Sequence, residues 1–373
     1  MDVKSLATLG FHHAKNHMTQ SIYLSSGVNW TKPITFCGLV THQCNLNCGF
    51  CFDRKDVDPS KEMSFEEWKR ALLSIKDLVG GYFISFSGGE VMLMKWFPDL
   101  LRFCADNGIK GGVLTNGTAI NDVTAPRLVG ADPFEISLSI DGPTAVVHDR
   151  IRGRMRAFEM VTRAVRMFRQ ERDRQGRSFP IIIRCVINAI NLKHLADMPR
   201  LVKEIGATAI VFQPVHEIAP NVMPEWQKFT KAPSSGLKDN FWIGSEQAEL
   251  LESKVAELLA LKAAGAPIMN TERDLELLSY HFSGEKPANM ARTCTVALRN
   301  FFIQPNGDVQ FCHDWPAIGN LRQQSAKEIW RGPHAEDLRR QSLHCEKQCL
   351  VNCSAQRTLL EKASMAIHLL KEG

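Results

Sequence analysis

The 373-residue chain has no apolar run that approaches the length needed to cross a membrane. Its N-terminus contains Lys4 and several histidines but no hydrophobic core of a signal peptide, so we expect a cytoplasmic protein. A formal net charge of +5 is mild and gives no reason to expect nucleic acid as a partner. Repeats of solenoid period and low-complexity tracts are also missing. These absences leave an ordinary globular protein with one large core and a smaller unit.

Cysteine, in contrast, is abundant, with eleven residues. In a reducing compartment such a number favours metal ligands or buried thiols over disulfides. Three cysteines fall within residues 44–51 and five within 294–353, whereas Cys37, Cys104 and Cys185 stand singly in apolar segments. We expect these three single cysteines to lie in the core. The two groups require another explanation.

The first group, Cys44, Cys48 and Cys51, has the spacing C-x3-C-x2-C. Three thiolates on one short loop can hold three irons of a [4Fe–4S] cube and leave the fourth iron open. A structural zinc ion is the alternative, but it prefers four ligands in two separated pairs, and even with His42 the spacing fits no such pattern. The spacing therefore predicts a cluster with one iron available to a ligand from outside the protein.

From residue 33 to about 215, short apolar runs alternate with amphipathic segments. The runs are rich in Val, Ile and Phe and cover residues 34–41, 82–87, 112–115, 134–140, 181–187 and 209–214. Such runs are typical of strands buried on both faces of a parallel sheet. Six strand–helix units predict either a partial (β/α)6 TIM-like barrel or a doubly wound sheet, and we favour the partial barrel. In both folds, ligands bind at the C-terminal ends of the strands.

Polar and glycine-rich segments follow these strands where ligands would bind. The cysteine loop follows the first strand, and Gly88, Gly89 and Glu90 follow the second. Asn116 follows the third strand, and Ser139 ends the fourth. Glycine after a strand also occurs in ordinary turns, so each segment alone is weak evidence. Together, however, they predict a single site along one rim of the sheet.

The cysteine triad, with Phe50 before its last member, resembles the signature of the radical S-adenosylmethionine (SAM) superfamily. The resemblance implies that the open iron chelates the amino and carboxylate groups of SAM. It also implies that the segment Gly88, Gly89 and Glu90 contacts the methionine ammonium group.

The segment that begins at Ser139 is similar to that of peptide- and sugar-modifying members of the superfamily. The resemblance implies that Ser139 and Arg152 hold the SAM carboxylate, for which a forked guanidinium group is well suited. Arg150 and Arg154 are neighbouring candidates for the same role. Asn116 is a predicted ribose contact, with a turn residue as the alternative.

The second cysteine group begins beside a predicted hairpin, in which two β-prone runs flank Asn306 and Gly307. Its members are Cys294, Cys312, Cys345, Cys349 and Cys353. This arrangement resembles the SPASM/twitch extension of radical SAM enzymes, although a full SPASM domain carries more cysteines and a second auxiliary cluster. The resemblance implies one auxiliary [4Fe–4S] cluster, held by Cys294, Cys312, Cys353 and either Cys345 or Cys349. A zinc ribbon is the alternative.

Changes in pattern along the chain predict five segments. They are an N-terminal extension at 1–32, a barrel at 33–220, a helical connector at 221–290, a SPASM/twitch domain at 291–353 and a C-terminal helix at 354–373. Within the connector we expect a long helix at 246–264 and a second, shorter one.

The resemblance implies a radical SAM enzyme of oxidoreductase or isomerase type. Such an enzyme cleaves SAM reductively, and the 5′-deoxyadenosyl radical abstracts hydrogen from an unactivated carbon of the substrate. We favour a small polar metabolite, such as a sugar or aminocyclitol, because the 32 residues before the first strand are too few for a winged-helix peptide-recognition domain. The alternatives are a maturase of a ribosomally made peptide and a two-cluster electron carrier, which would not need an open iron.

Reductive cleavage also requires an electron donor of the flavodoxin or ferredoxin type. Residues 150–177 are rich in arginine, with Glu171 and Asp173 interleaved. This pattern favours the solvated face of a helix, and a docking surface for an acidic donor is the alternative.

Overall fold

The protein is described here by a computed structural model that covers residues 3–51, 58–216, 241–285 and 293–345, with side chains from residue 14 onward. Cys349, Cys353, the predicted helix at 354–373 and most of the loop-rich start of the connector lie outside the described residues.

The described strands form one nine-stranded sheet. They are β1 (Thr35–Leu39), β2 (Phe83–Ser87), β3 (Lys110–Thr115), β4 (Glu135–Ser139), β5 (Ile181–Ile187), β6 (Ala209–Pro214), β7 (Asn300–Ile303), β8 (Asp308–Gln310) and β9 (Gly319–Asn320). All six predicted strands are present, and β5 and β6 have the predicted bounds.

The described residues also form eleven α-helices. They are α1 (Val3–Ser26), α2 (Phe65–Val79), α3 (Phe97–Asp106), α4 (Thr124–Gly130), α5 (Ala145–Arg152), α6 (Ala157–Arg174), α7 (Met198–Ile205), α8 (Ala248–Ala263), α9 (Glu272–Ser283), α10 (Ala326–Arg331) and α11 (Pro333–Ser342). None of these helices has the combination of length and apolar character that a membrane span requires.

The strand order decides between the two folds that the sequence pattern left open. Strands β1 to β6 are parallel and lie side by side in chain order. Crossovers between parallel strands are right-handed, so a sheet whose order never reverses has its crossover helices on one face. A doubly wound sheet would reverse its order at a switch point. The fold is therefore the predicted partial (β/α)6 barrel.

Helix α2 shows how local sequence sets this helical layer. Ser64 and Glu67 form a capping box, and Gly80 ends the helix with φ of 85°. The buried face of α2 includes Trp68, whose ring lies 3.0 Å from the position that a Cβ would take on Gly38 of β1. The inner face of the barrel is thus the opposite face of β1.

The single cysteines follow this division between the two faces. Cys104 and Cys185 are buried, as expected, and burial raises the pKa of the Cys104 thiol to about 12. Cys37 is only half-buried, because it alternates with Gly38 and so faces the barrel interior. The expectation of a core position is therefore wrong for Cys37.

The C-terminal unit continues the sheet of the barrel. Strand β7 pairs in parallel with β1, and β7 and β8 form the predicted antiparallel hairpin. Gly307 in the turn has φ of 91°, which a residue with a side chain adopts only with strain.

The N-terminal extension forms α1, a 24-residue helix for which the sequence pattern gave no prediction. Asn16 donates from Nδ2 to the carbonyl oxygens of Lys32 at 2.7 Å and Leu298 at 3.1 Å. The Tyr23 hydroxyl donates to Glu336 in α11 at 2.7 Å. Helix α1 therefore connects the start of the barrel to the C-terminal unit.

Candidate functional site

The cysteine loop lies between β1 and α2, and the protein already supplies hydrogen bonds to two of its sulfur atoms. Cys44 Sγ accepts from the backbone N–H of Leu46 at 3.4 Å and from Asn116 Nδ2 at 3.9 Å. Cys48 Sγ accepts from Arg152 Nη1 at 3.8 Å. Cys51 is exposed, and its backbone N–H donates to the Cys48 carbonyl at 3.2 Å. Donors directed at sulfur are what a thiolate ligand needs around it.

These thiols fit a cluster better than a single ion. Among the described residues, no group of three or more His, Cys, Asp or Glu side chains is gathered so as to hold one metal ion. In a [4Fe–4S] cube each thiolate binds a different iron, so the sulfur atoms need not converge on one point. The donor set on this loop, three thiols with N–H donors around two of them, therefore fits the predicted cluster.

The glycine segment after β2 packs backbone to backbone against the start of the cysteine loop. Gly89 N donates to Thr41 O at 2.7 Å, and Glu90 N donates to Gln43 O at 2.8 Å. A Cβ on Gly89 would clash with the Gln43 carbonyl oxygen, so only glycine allows this approach. The two loops are thus fixed relative to each other before any ligand binds.

The Glu90 carboxylate is fully buried and is used by the protein itself. Its two oxygens accept from Thr115 Oγ1 at 2.6 Å, Asn116 N at 2.7 Å and Met92 N at 3.1 Å. Burial raises the pKa of this carboxyl, and the three donors act in the opposite direction. Its side chain therefore ties the end of β3 to the loop after β2, which leaves the backbone of the segment to meet a ligand.

Asn116, the predicted ribose contact, also connects two loops. Its Nδ2 donates to Asn45 Oδ1 at 2.9 Å, and its Oδ1 accepts from Thr118 Oγ1 at 2.6 Å. Asn45 Nδ2 in turn donates to Thr118 Oγ1 at 2.9 Å. The sequence analysis missed Asn45, although its place between Cys44 and Cys48 could have suggested a structural role.

The structure separates the three arginines that the sequence left as candidates for one role. Arg150 is exposed, whereas Arg154 is half-buried and donates to the Asn45 carbonyl at 3.1 Å. Arg152 is buried, and its guanidinium lies 5.5 Å from the centre of the Phe50 ring. Ser139 is half-buried at the end of β4. Of the three arginines, Arg152 alone contacts a cysteine sulfur within the described part of the chain, namely Cys48 Sγ at 3.8 Å.

Asp141, two residues after Ser139, is the buried partner of this arginine. Its carboxylate lies 2.7 Å from Arg152 Nε and accepts from Val186 N at 2.8 Å. Its backbone N–H donates to His148 Nδ1 at 3.1 Å, and burial lowers the pKa of His148 well below its usual range. The segment between β4 and α5 is therefore anchored to β5 as well as to the cysteine loop.

A second charged pair, which the sequence analysis missed, lies inside the barrel. Arg184 on β5 donates from Nε to Ser137 Oγ and from Nη2 to Glu135 Oε1, each at 3.1 Å. A Cβ on Gly112 would lie 2.9 Å from Glu135 Cγ, so glycine at this position leaves room for the glutamate. Both side chains are partly exposed, at 27% and 15%, which is unusual for a barrel interior that only fills space.

The second cysteine group is partly visible. Cys312 is buried, while Cys294 and Cys345 are half-buried. Burial raises the pKa of the Cys294 thiol, and the charge of nearby Cys345 raises it further. Cys312 Sγ lies 4.0 Å from Asp314 Oδ2. The structure thus describes three of the five cysteines in this group, whereas Cys349 and Cys353 lie outside the described residues.

Comparison with protein families gives two matches on this chain. Residues 39–197 match the radical SAM superfamily, and residues 294–354 match SPASM, an iron–sulfur cluster-binding domain. The first match contains the cysteine triad and every predicted SAM contact, and the second contains all five cysteines of the second group.

Individual proteins give matches of similar length. An AdoMet-dependent heme synthase of Nitratidesulfovibrio vulgaris is 30% identical over 305 residues, which cover 78% of this chain and 77% of the relative. A PqqA peptide cyclase of Xanthomonas euvesicatoria is 25% identical over 317 residues, or 81% and 75% of the two chains. Among solved structures, anSMEcpe with bound AdoMet shares the fold with a TM-score of 0.62 at 18% identity, over 91% of this chain and 97% of that one.

Proposed function

Because the chain belongs to the radical SAM superfamily and carries a C-terminal SPASM domain, we propose that its 5′-deoxyadenosyl radical, generated from SAM, abstracts hydrogen from an unactivated carbon of a small polar metabolite. Its cofactors are [4Fe–4S] clusters and SAM. The observation that carries the proposal is the cysteine loop locked to the segment after β2 by two backbone hydrogen bonds.

The residues of the rim take the following roles in this proposal. Cys44, Cys48 and Cys51 hold the SAM-binding cluster. The backbone of the Gly88, Gly89 and Glu90 segment meets the methionine ammonium, Ser139 and Arg152 meet the carboxylate, Asn116 meets the ribose, and Phe50 covers one side. Because the Glu90 side chain already has protein partners, we expect Glu90 to meet the ligand mainly through backbone atoms.

Two observations support a small and polar substrate. The relative with 30% identity is named a heme synthase, so its product is a small molecule. Inside the barrel, Arg184 is held by Glu135 and Ser137 but remains partly exposed, and a guanidinium suits carboxylate or hydroxyl groups of a substrate. A sugar or aminocyclitol fits this polar interior, as does a molecule that carries carboxylates.

Peptide maturation is the second candidate, since the match to PqqA peptide cyclase covers 81% of this chain. Family membership disfavours the third candidate, an electron carrier, because a carrier has no need of the SAM-binding rim.

The test is anaerobic incubation of the reconstituted full chain with SAM and dithionite, followed by chromatography. We expect 5′-deoxyadenosine from the wild type and none from the variant C44A/C48A/C51A. Small polar metabolites, rather than candidate precursor peptides, should increase the yield. Stimulation by peptides alone would favour the second candidate, and no 5′-deoxyadenosine under any condition would contradict the proposal.

We propose that Cys294, Cys312 and Cys353, together with either Cys345 or Cys349, hold one auxiliary [4Fe–4S] cluster. The match of residues 294–354 to an iron–sulfur cluster-binding domain supports this set. Two clusters require about eight irons per chain, and the variant C294A/C312A should retain about four. A wild-type value near four would remove the auxiliary cluster.

We propose a flavodoxin or ferredoxin as the electron donor, and the arginine-rich face of α6, which the sequence pattern favours as a solvated surface, is the alternative docking site to be tested. Arg166 and Arg169 are exposed on this helix. The variant R166E/R169E should lose donor-dependent activity at low salt but keep dithionite-driven activity. The control R200E reverses an exposed charge on α7, and an equal loss there would show that the α6 face is not specific.

A further inference from the structure

The Arg152 guanidinium lies where three parts of the site meet. Its Nε pairs with the Asp141 carboxylate at 2.7 Å, and its Nη1 donates to Cys48 Sγ at 3.8 Å. Its Cζ lies over the Phe50 ring, 5.5 Å from the ring centre. The backbone takes part as well, since the N–H of Asn47 donates to the Arg152 carbonyl at 3.3 Å. One residue therefore contacts the cysteine loop through both its side chain and its backbone.

Buried contacts of Asp141 hold this guanidinium in position. The Asp141 side chain is fully buried, and its carboxylate also accepts from Val186 N. Asn191 Nδ2 donates to the Asp141 carbonyl at 2.8 Å. Separating a buried ion pair leaves an uncompensated charge, so this pair keeps the guanidinium beside the sulfur.

We propose that Arg152 is a positioning residue of the SAM-binding cluster, which holds the cysteine loop and raises the reduction potential of that cluster through its hydrogen bond to Cys48. Hydrogen bonds to cluster sulfurs and nearby positive charge stabilise the more negative, reduced state. The inference rests on the proposed function only in taking Cys44, Cys48 and Cys51 as cluster ligands.

This role is separate from the predicted contact with SAM. Nε and Nη1 are used by Asp141 and Cys48, and Nη2 has no recorded hydrogen bond within the described part of the chain. Nη2 can therefore bind the SAM carboxylate while Nε and Nη1 stay bound to Asp141 and Cys48. For this reason the decisive measurement is made without SAM.

The experiment is a redox titration of the reconstituted full chain, followed by electron paramagnetic resonance of the reduced cluster, in the absence of SAM and substrate. All proteins carry C294A/C312A, so that only the SAM-binding cluster contributes to the signal. The test variant D141N/R152M removes both members of the ion pair, so that no buried charge is left unpaired. We expect the ratio of reduced to oxidised cluster at a fixed potential to fall roughly tenfold, equivalent to about 59 mV for one electron.

The matched control is R154K, which, like D141N/R152M, leaves the net charge near the cluster unchanged. Arg154 also holds the cysteine loop, through the Asn45 carbonyl, but no contact with a sulfur is recorded for it among the described residues. It should leave the midpoint potential at the wild-type value. An unchanged potential in D141N/R152M at full iron content, or an equal shift in R154K, would overturn the proposal.

The variant R152K decides the question if D141N/R152M binds no iron. Lysine keeps the charge but has a single nitrogen to share between Asp141 and Cys48, so we expect a potential below that of the wild type. A wild-type potential in R152K would refute the hydrogen-bond role. Failure of the proposed function is a different result, since it appears as missing 5′-deoxyadenosine and does not affect the potential.

Discussion

At the scale of single residues, the buried polar side chains of the site are directed first at other parts of the protein. The Glu90 carboxylate binds the end of β3, Asn116 binds Asn45 of the cysteine loop, and Asp141 binds Arg152. Buried polar groups without partners are costly, so each of these contacts also keeps a loop in one conformation. The site is therefore shaped before a cofactor arrives.

Glu90→Gln tests this reading of the carboxylate. Glutamine replaces one acceptor oxygen by an NH2 group. This donor would face either the N–H of Asn116 or the N–H of Met92 and the hydroxyl of Thr115, which are donors as well. We expect a loss of about 1–3 kcal/mol in the free energy of unfolding, measured by anaerobic thermal unfolding. Glu249→Gln, at an exposed position on α8, should change little, and an equal loss in both variants would contradict the interpretation.

At the scale of secondary-structure elements, the loops after β1 and β2 act as one unit because their backbones touch. The contact depends on glycine, since a Cβ on Gly88 or Gly89 would clash with carbonyl oxygens of the first loop. Elsewhere, capping boxes set where α2, α9 and α10 begin. Short local patterns therefore place the helices, whereas a contact between distant segments places the site.

Gly89→Ala should open the contact between the two loops. The added methyl group meets backbone atoms, which cannot move aside as a flexible side chain can. We expect a loss of about 1–3 kcal/mol in stability and a lower iron content per chain. Gly81→Ala is the control, because its Cβ would lie at an ordinary 3.5 Å from the nearest atom, Gly108 O. A normal iron content in Gly89→Ala would count against the proposed rigid unit.

Glu67→Gln should remove a stabilisation that depends on pH. The backbone N–H of Ser64, together with its hydroxyl and Arg322, lowers the pKa of Glu67 to about 2. A lowered carboxyl pKa stabilises the fold above the unfolded value of about 4.3 and loses this effect as pH falls toward 2. Thermal unfolding should show a deficit of about 1–2 kcal/mol at pH 7 that shrinks below about pH 4.3.

The exposed Glu66 provides the control for this pH series. It pairs with Lys69 across a single turn of α2, at 3.0 Å, so Glu66→Gln should have a small effect at every pH. A deficit in Glu67→Gln that stayed constant down to pH 3 would show that the charge of Glu67 is not the cause.

At the scale of the whole molecule, the C-terminal unit is part of the barrel sheet and not an appendage. Strand β7 covers the edge of β1, and Trp330 Nε1 donates to the Thr31 carbonyl at 2.9 Å. Arg339 is fully buried against the rings of Phe311 and Trp330, and its donors reach Glu336 and two backbone carbonyls. Through Glu336 the same network includes Tyr23 of α1.

Arg339→Met should therefore destabilise the whole protein. It leaves two buried carbonyls without their donor and removes the charge that pairs with Glu336, for an expected loss of about 3–5 kcal/mol in thermal unfolding. Arg340→Met changes the neighbouring, exposed arginine and should cost less than about 1 kcal/mol. Similar losses in both variants would show that the burial of Arg339 is not the cause of the lower stability.

Short local sequence patterns determined most of the fold. Six apolar runs, a capping box at Ser64 and the turn at Gly307 act within a few residues of each other, so their structures follow from the sequence alone. Cysteine spacing likewise determined the cluster-binding loop. The sequence also carried the family resemblance, which the matches over residues 39–197 and 294–354 support.

Only the tertiary structure decided how distant segments meet. The strand order shows that the fold is the barrel. Contacts between distant residues join α1 to the C-terminal unit and leave Cys37 half-buried on the face of β1 toward the barrel interior. The tertiary structure also separated Arg152 from Arg150 and Arg154, and it revealed the Arg184–Glu135 pair. These outcomes depend on burial and on contacts between residues far apart in the chain, which no local pattern records.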